Sequence, residues 1–284
     1  MTVADQLRKD GYTNDELIKL YQQAADEIAA IIAGADTSQG FARYRLQQFR
    51  AIQAVIARNS PQVQEWVDST IPDVMQAAND ETNDAMKGFA DQGFSFRFSG
   101  VNQEAVKYLT TQASEYFVST LQGLKTSGLR ASLDKRALAN RVIKSVIQGQ
   151  SVAKTQTQLV DILKNQGFTL VIGKKGRRLN LEDYSQTLVR TQTINAYNVS
   201  AQQTMLSAGR RFAIFPTIPA QRREPDDICW KYEKQKYIDL LKDPVPPLHP
   251  RCRHTLQPVS MDQLKEERPD LYDQAVAYYK KASN

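Results

Sequence analysis

The sequence predicts a mainly α protein with a small α+β C-terminal part: long amphipathic helices, a β-hairpin and a Cys/His-clamped loop. Three observations carry this expectation. Apolar residues recur at three- and four-residue steps through much of the first 165 positions and again from Leu181 to Ser207, the period of a helix with one buried face. The β-rich run Phe168-Thr169-Leu170-Val171-Ile172 is followed by the turn Gly173-Lys174-Lys175-Gly176, which reads as a hairpin. Both cysteines and both histidines of the 284-residue chain lie within 26 consecutive positions, Cys229 to His254, in a proline-rich stretch.

Composition bounds the class. An apolar share of 41% and a charged share of 24% are ordinary for a globular protein, and the chain is long enough to bury a core without staples. No apolar run approaches the length of about 18 residues that a membrane helix needs. Met1 to Asp15 lacks the basic-then-apolar pattern of a signal peptide, so an intracellular setting, or a particle assembled inside a cell, is expected. The net charge of +6 is unevenly placed. Residues 1–100 carry 9 Lys/Arg against 14 Asp/Glu, whereas residues 101–284 carry 28 against 17. The acidic and basic parts predict surfaces with different partners, the basic one suited to nucleic acid or an acidic protein face.

The first third reads as helices. Thr13 and Glu16 form a capping box, after which Leu17, Tyr21, Ala24, Ile28 and Ile31 share a face until Gly34 and Asp36 end the element. A second helix is expected from about Ser38 to Asn59, with Phe49, Ile52 and Ile56 inward. Ser60-Pro61 reads as a cap and first position opening a third helix, bent at Pro72 and fading near Gly88. The aromatics Phe89, Phe94, Phe96 and Phe98 read as a packed connection, since no base-reading motif accompanies them. Another helix spans 102–126, with Val106, Leu109, Ala113, Phe117 and Leu121 inward. Helical pattern resumes over Asp134–Gln148 and Val152–Asn165, separated by Gly149-Gln150-Ser151. The expected division is a helical N-terminal domain, 1–149, and a mixed C-terminal domain, 150–284.

In that second part Arg177-Arg178-Leu179-Asn180 completes the hairpin. Lys174, Lys175, Arg177 and Arg178 at its tip are the chain's sharpest basic cluster. They could contact nucleic-acid phosphates or simply guard an exposed strand edge. A long helix follows from Leu181 to Ser207, stopped by Gly209, then a short strand, Phe212 to Phe215, ended by Pro216. Met261 to Lys281 reads as one last amphipathic helix, acidic at its start and basic at its end.

The window from Asp226 to Pro258 carries the chemistry. Cys229, His249, Cys252 and His254 are two sulfur and two nitrogen donors at spacing C-x19-H-x2-C-x-H, enough for one tetrahedral structural zinc site. Pro244, Pro246, Pro247 and Pro250 exclude a regular helix around them. A segment so poor in apolar residues is poorly placed to offset its own ordering entropy unless a metal clamps it. Two plainer readings stand beside zinc: a Cys229–Cys252 disulfide, disfavoured in reducing compartments, and a polar loop without metal.

Asp-x-x-Cys from Asp226 to Cys229, followed by Pro-Pro-x-His-Pro-x-Cys-Arg from Pro246 to Arg253, resembles the C-terminal signature of the phage Mu F-like minor head proteins, the head-morphogenesis family of tailed phages. That signature reads Cys-x-x-Cys and then His-Pro-x-Cys-Arg-Cys. Here Tyr232 replaces the second cysteine, losing a ligand, and His254 replaces the last, keeping one. Upstream, Arg190-Thr191-x-Thr193 with Ala196-Tyr197-Asn198 resembles the family's second signature, in the expected order. Gly149-Gln150-Ser151 before a helix is similar to the lead-in to its C-terminal domain. The likeness covers roughly 135–258. It implies a non-enzymatic virion component in the capsid interior or neck, associated with the portal protein, possible contacts with major capsid or scaffolding protein and with double-stranded DNA, and a role in head morphogenesis, packaging or delivery. Arg190, Asn195 and Asn198 are then expected to form a polar network positioning the loop around Cys229.

Enzymatic motifs are missing: there is no HExxH, P-loop, Gly-x-Ser-x-Gly or Cys-x-x-Cys. A metal-dependent nuclease using Asp226, Asp227 and His249, or a free-standing basic DNA-binding protein, are the alternatives.

Overall fold

The computed structural model describes residues 2–9, 15–34, 41–89, 94, 100–120, 122–123, 170–172, 177–179, 181–218, 228–249 and 252–283. In chain order they form α1 (Val3–Lys9), α2 (Asp15–Gly34), α3 (Phe41–Lys87), α4 (residues 103–120), β1 (Leu170–Ile172) and β2 (Arg177–Leu179). There follow α5 (Leu181–Ser207), β3 (Phe212–Ile214), α6 (Ile228–Gln235), β4 (Tyr237–Asp239), β5 (Gln257–Pro258), α7 (Met261–Glu267) and α8 (Pro269–Ser283). Helix takes 76% of the described residues and the strands form one hairpin and one three-stranded sheet, so the mainly α class with a small α+β C-terminal part holds.

The chain divides into two compact units: Met1–Thr13, Asp68–Ala113 and Thr187–Asn284 in one, Asn14–Val67 and Ser114–Gln186 in the other. Each is assembled from separate stretches, whereas the sequence reading divides the chain once, at 149/150. That boundary, the helices expected over Asp134–Gln148 and Val152–Asn165, the capping residue Thr13, and Phe96 and Phe98 lie outside the described residues.

In the unit built around α2, the helical spacing of Leu17, Tyr21, Ala24 and Ile28 becomes a fully buried face. The Tyr21 hydroxyl donates to the Phe117 carbonyl at 2.9 Å, and Trp66 meets the Phe117 ring edge-on at 5.2 Å. Phe49, expected inward, is 36% exposed, while Ile52 and Ile56 are buried. The hairpin forms in the expected antiparallel sense, pairing Leu170 with Leu179, Val171 with Arg178 and Ile172 with Arg177.

The break expected at Ser60-Pro61 does not occur: α3 runs for 47 residues through both Pro61 and Pro72. An internal proline costs about 3 kcal/mol, but each fully buried large apolar side chain contributes about 1.5–3 kcal/mol. The stripe Ile52, Val55, Ile56, Val63, Trp66 and Val67 stays buried across Pro61. Just before that proline, Asn59 Nδ2 and Ser60 Oγ donate to Val55 O and Ile56 O, both at 2.8 Å.

The other unit joins the second part of α3 to α5 through buried polar contacts. Ser200 Oγ donates to Met75 O at 2.7 Å, Asn79 Nδ2 to Thr204 Oγ1 at 2.8 Å, and the Tyr197 hydroxyl to Glu81 at 2.9 Å. Glu81 also accepts from the amides of Val3 and Ala4 at the start of α1, where a carboxylate meets both the free N–H groups and the positive dipole end. After α5, Gly209 adopts φ +80°, the left-handed conformation that ends helices and that glycine adopts without penalty.

The chain then enters the sheet, in which β3 lies between β4 and β5, both antiparallel to it. Phe212, Tyr237, Val259, Met261, Leu264 and Ala275 form a core cluster, with Phe94, Leu271, Tyr272 and Val276 packed on it. The expected single helix Met261–Lys281 is two, α7 and α8. Pro269 has no amide to continue α7 and pushes the preceding residue out of helical dihedrals, and Arg268 sits at φ −145°, ψ 72°.

Candidate metal centre

The window holding every cysteine and histidine folds as a loop returned to one point of the sheet. Ile214 of β3 pairs with Tyr237 of β4 on one side and with Gln257 of β5 on the other. Between them the described residues 240–249 and 252–256 are non-helical and include a cis Pro246–Pro247 bond. The start of the window departs from the loop expected there. It is α6, upstream of the first proline of the loop, and it presents Cys229, Tyr232 and Glu233 at i, i+3 and i+4 as its buried face. Lys236, at φ 64°, turns the chain from α6 into β4. Farther on, the Cys252 amide donates to His249 O at 3.1 Å.

This routing brings Cys229, His249 and Cys252 together, with one donor atom from each lying within 4.8 Å of the others. Both cysteines are free thiols with no solvent exposure, and His249 is half-buried. Their Sγ atoms are 3.8 Å apart. That is far from the ~2.05 Å of a disulfide. It matches the edge of about 3.8 Å that two thiolates subtend on a tetrahedral zinc with bonds of about 2.3 Å. The donor set fits a metal ion, and these three residues could hold one.

His254 takes another position. Its ring is fully buried, stacked at 4.5 Å on Phe215, with Nδ1 3.3 Å from Cys252 Sγ and Nε2 2.8 Å from Glu233 Oε1. It lies outside the three-donor group, so four converging ligands are not what the fold provides. The row Glu233–His254–Cys252 has a definite electrostatic character. A hydrogen bond with Cys229 pulls the Cys252 thiol down to about 4, assisted by His254 and opposed by burial. Burial works against a charged His254, yet Cys252 and Glu233 outweigh it and raise the imidazole above its ordinary value. The row favours a buried thiolate at Cys252, and thiolate is the form that binds metal.

Of the expected polar network, Asn198 makes the contact to the loop. Its Nδ2 donates to His254 O at 2.8 Å and its Oδ1 accepts from the Leu256 amide at 2.7 Å, all buried. Arg190 and Asn195 are half-buried on the same helix, and Asn195 makes no side-chain hydrogen bond to a described residue. Lys174, Lys175, Asp226 and Asp227 lie outside the described residues, while Arg177 and Arg178 are in β2.

Two residues of the site were not foreseen. Glu233 was legible in principle, being one helical turn after Cys229. Tyr232, noted only as a missing cysteine, fills the same buried face and packs on Phe215 at 5.8 Å between ring centres. The chain matches no family model, no curated protein and no solved structure. Among the described residues no helix is long and apolar enough to cross a membrane.

Proposed function

We propose that this chain is a minor head protein of a tailed bacteriophage or prophage. It associates with the portal protein inside the procapsid, is carried in the virion interior or neck, and acts in head morphogenesis, DNA packaging or delivery. One observation carries the reading. The two stretches that resemble the Mu F-like signatures meet in space: Asn198 of the first holds the main chain of the second at His254 and Leu256. Signatures that merely coincided in sequence would have no reason to share a buried contact.

Zinc held by the cysteines fastens the loop, and the protein has no catalytic role. Cys252 beside His254 and Glu233 looks like a nucleophile with its base, but neither Cys252 nor His254 has any exposed surface for a substrate to reach. The acidic stretch, residues 1–100, docks on a partner protein, portal first and major capsid or scaffolding protein next. The basic remainder, with Lys174, Lys175, Arg177 and Arg178, faces double-stranded DNA.

The test is a pull-down of the tagged chain from phage-producing cells with partners identified by mass spectrometry. Recovery of portal or major capsid protein is expected. Recovery of DNA alone, or of nothing, rejects the assembly role in favour of a free DNA-binding protein or a metal-dependent nuclease.

A further inference from the structure

We infer that the metal centre is a three-donor site, Cys229, His249 and Cys252, whose fourth position accepts a small ligand from outside the chain, and that His254 positions Cys252 instead of binding the ion. This rests on the reading that the site holds metal and alters what that site is. The sequence offers four soft donors, and a closed structural site would use all of them. The fold does not bring all four to one point. Cys229, His249 and Cys252 present donor atoms within 4.8 Å of one another, and His254 is not in that group.

Both ring nitrogens of His254 already have partners: Cys252 Sγ at 3.3 Å and Glu233 Oε1 at 2.8 Å. The main chain at His254 is fixed by Asn198 and the ring lies against Phe215. Swinging the imidazole toward Cys229 would break the Glu233 contact and unstack the ring from Phe215. A histidine held between a carboxylate and a ligand sulfur has the form of a ligand-orienting group. The open side of the centre is set by His249, which is half-buried where both cysteines are sealed. A small oxygen or nitrogen donor, such as water or azide, is the class of ligand that side admits.

Cobalt(II) reports this directly, because its visible ligand-field bands follow coordination number and donor type. The full chain is stripped of metal, reconstituted with Co(II), and titrated with azide. Wild type is expected to bind one equivalent and to shift its bands as azide enters. His254→Gln is expected to keep the equivalent with affinity lowered about 10–100-fold, the effect of losing a ligand's partner. His249→Ala is expected to lose the equivalent altogether. Glu233→Gln, milder than removing the ring, should again weaken without abolishing binding, and it keeps the test open if His254→Gln fails to fold. Bands unmoved by azide, or His254→Gln losing metal as completely as His249→Ala, overturn the three-donor site while leaving a metal centre. Wild type that binds neither cobalt nor zinc overturns the metal reading as well.

Discussion

Replacing Asn198 by alanine removes the side chain that anchors the loop at His254 and Leu256 to α5, while Gln202 of the same helix still holds the loop's start at Leu240. The residue is fully buried, and truncation leaves two main-chain groups, the His254 carbonyl and the Leu256 amide, in a dry site without partners. Each unsatisfied buried group costs about 1–3 kcal/mol. The pair therefore sets a range of about 2–6 kcal/mol, and partial relaxation of the loop points to about 3 kcal/mol. Asn195→Ala is the control: the same substitution three residues earlier on the same helix, at a half-buried side chain with no hydrogen bond to a described residue. It should fall within about 0.5 kcal/mol of wild type, helped by alanine's better helix propensity. Urea unfolding followed by tryptophan fluorescence measures both. The chain has two tryptophans, so a Trp66→Phe background leaves Trp230, on α6 beside Cys229, as the reporter. Chelator in every sample keeps metal release from adding to the difference. With a slope of about 3 kcal/mol per molar urea, the Asn198→Ala midpoint should drop by roughly 1 M. Equal midpoints for Asn198→Ala and Asn195→Ala would refute the anchoring role and with it the link between the two signature stretches.

Four further outcomes are expected. Cys252→Ser should lower stability by several kcal/mol in metal-replete protein and much less in chelator; superimposable melting curves in the two conditions remove the metal from the account. Burial pushes the Asp239 carboxyl up, but its paired hydrogen bonds from Arg211 and the Leu241 amide outweigh that and hold it below the usual carboxylate range. A depressed carboxylate stabilises fully above its unfolded value of about 3.9 and loses that contribution as pH falls through the folded value. Stability measured between about pH 2 and 5 should therefore rise with pH, and Asp239→Asn should flatten the rise. Gly209→Ala should cost about 1–3 kcal/mol by thermal melting, because φ is +80° and the new Cβ would lie 3.1 Å from the Tyr279 ring. Neutralising Lys174, Lys175, Arg177 and Arg178 together should reduce the salt slope of DNA binding by up to about 3.5; an unchanged slope assigns the hairpin tip to edge protection.

Periodicity made α2, α5 and the β1–β2 hairpin legible, because in each the local pattern and the tertiary environment agree. The α5 bounds, Leu181–Ser207, match the expected span at both ends. Prolines were the weak signal, and they erred in both directions. Pro61 has the local form of a helix start, but a buried stripe on either side outweighs the local defect and α3 continues. Pro269 sits inside an otherwise helical pattern and ends α7, with Arg268 out of helical dihedrals, even though apolar residues on both sides of it pack on one core cluster. Whether a proline ends a helix depends on how the flanking turns pack in three dimensions, which a one-dimensional pattern reports poorly. The strands β4 and β5 are three and two residues long. They exist only because β3 pairs with both, so no local run announces them.

The site was legible as a composition and not as a geometry. Finding every cysteine and histidine in one window identifies the donors, but which of them converge depends on main-chain routing. Two features decide it, and both are tertiary. Ile214 receives β4 on one side and β5 on the other, drawing the loop's ends together and His249 and Cys252 toward α6. Glu233, on the same turn of α6 as Cys229, captures His254 Nε2 and holds the ring against Phe215. With an apolar residue at 233, His254 Nε2 would lose the partner it has here, leaving the Phe215 stacking and the Cys252 contact to hold the ring. The carboxylate that holds His254 outside the group formed by Cys229, His249 and Cys252 belongs to a residue type that metal-ligand spacing rules for cysteine and histidine do not examine. Reading α6 as a helix from Ile228, with Cys229 and Glu233 four apart on one face, is the step from sequence that would have found it.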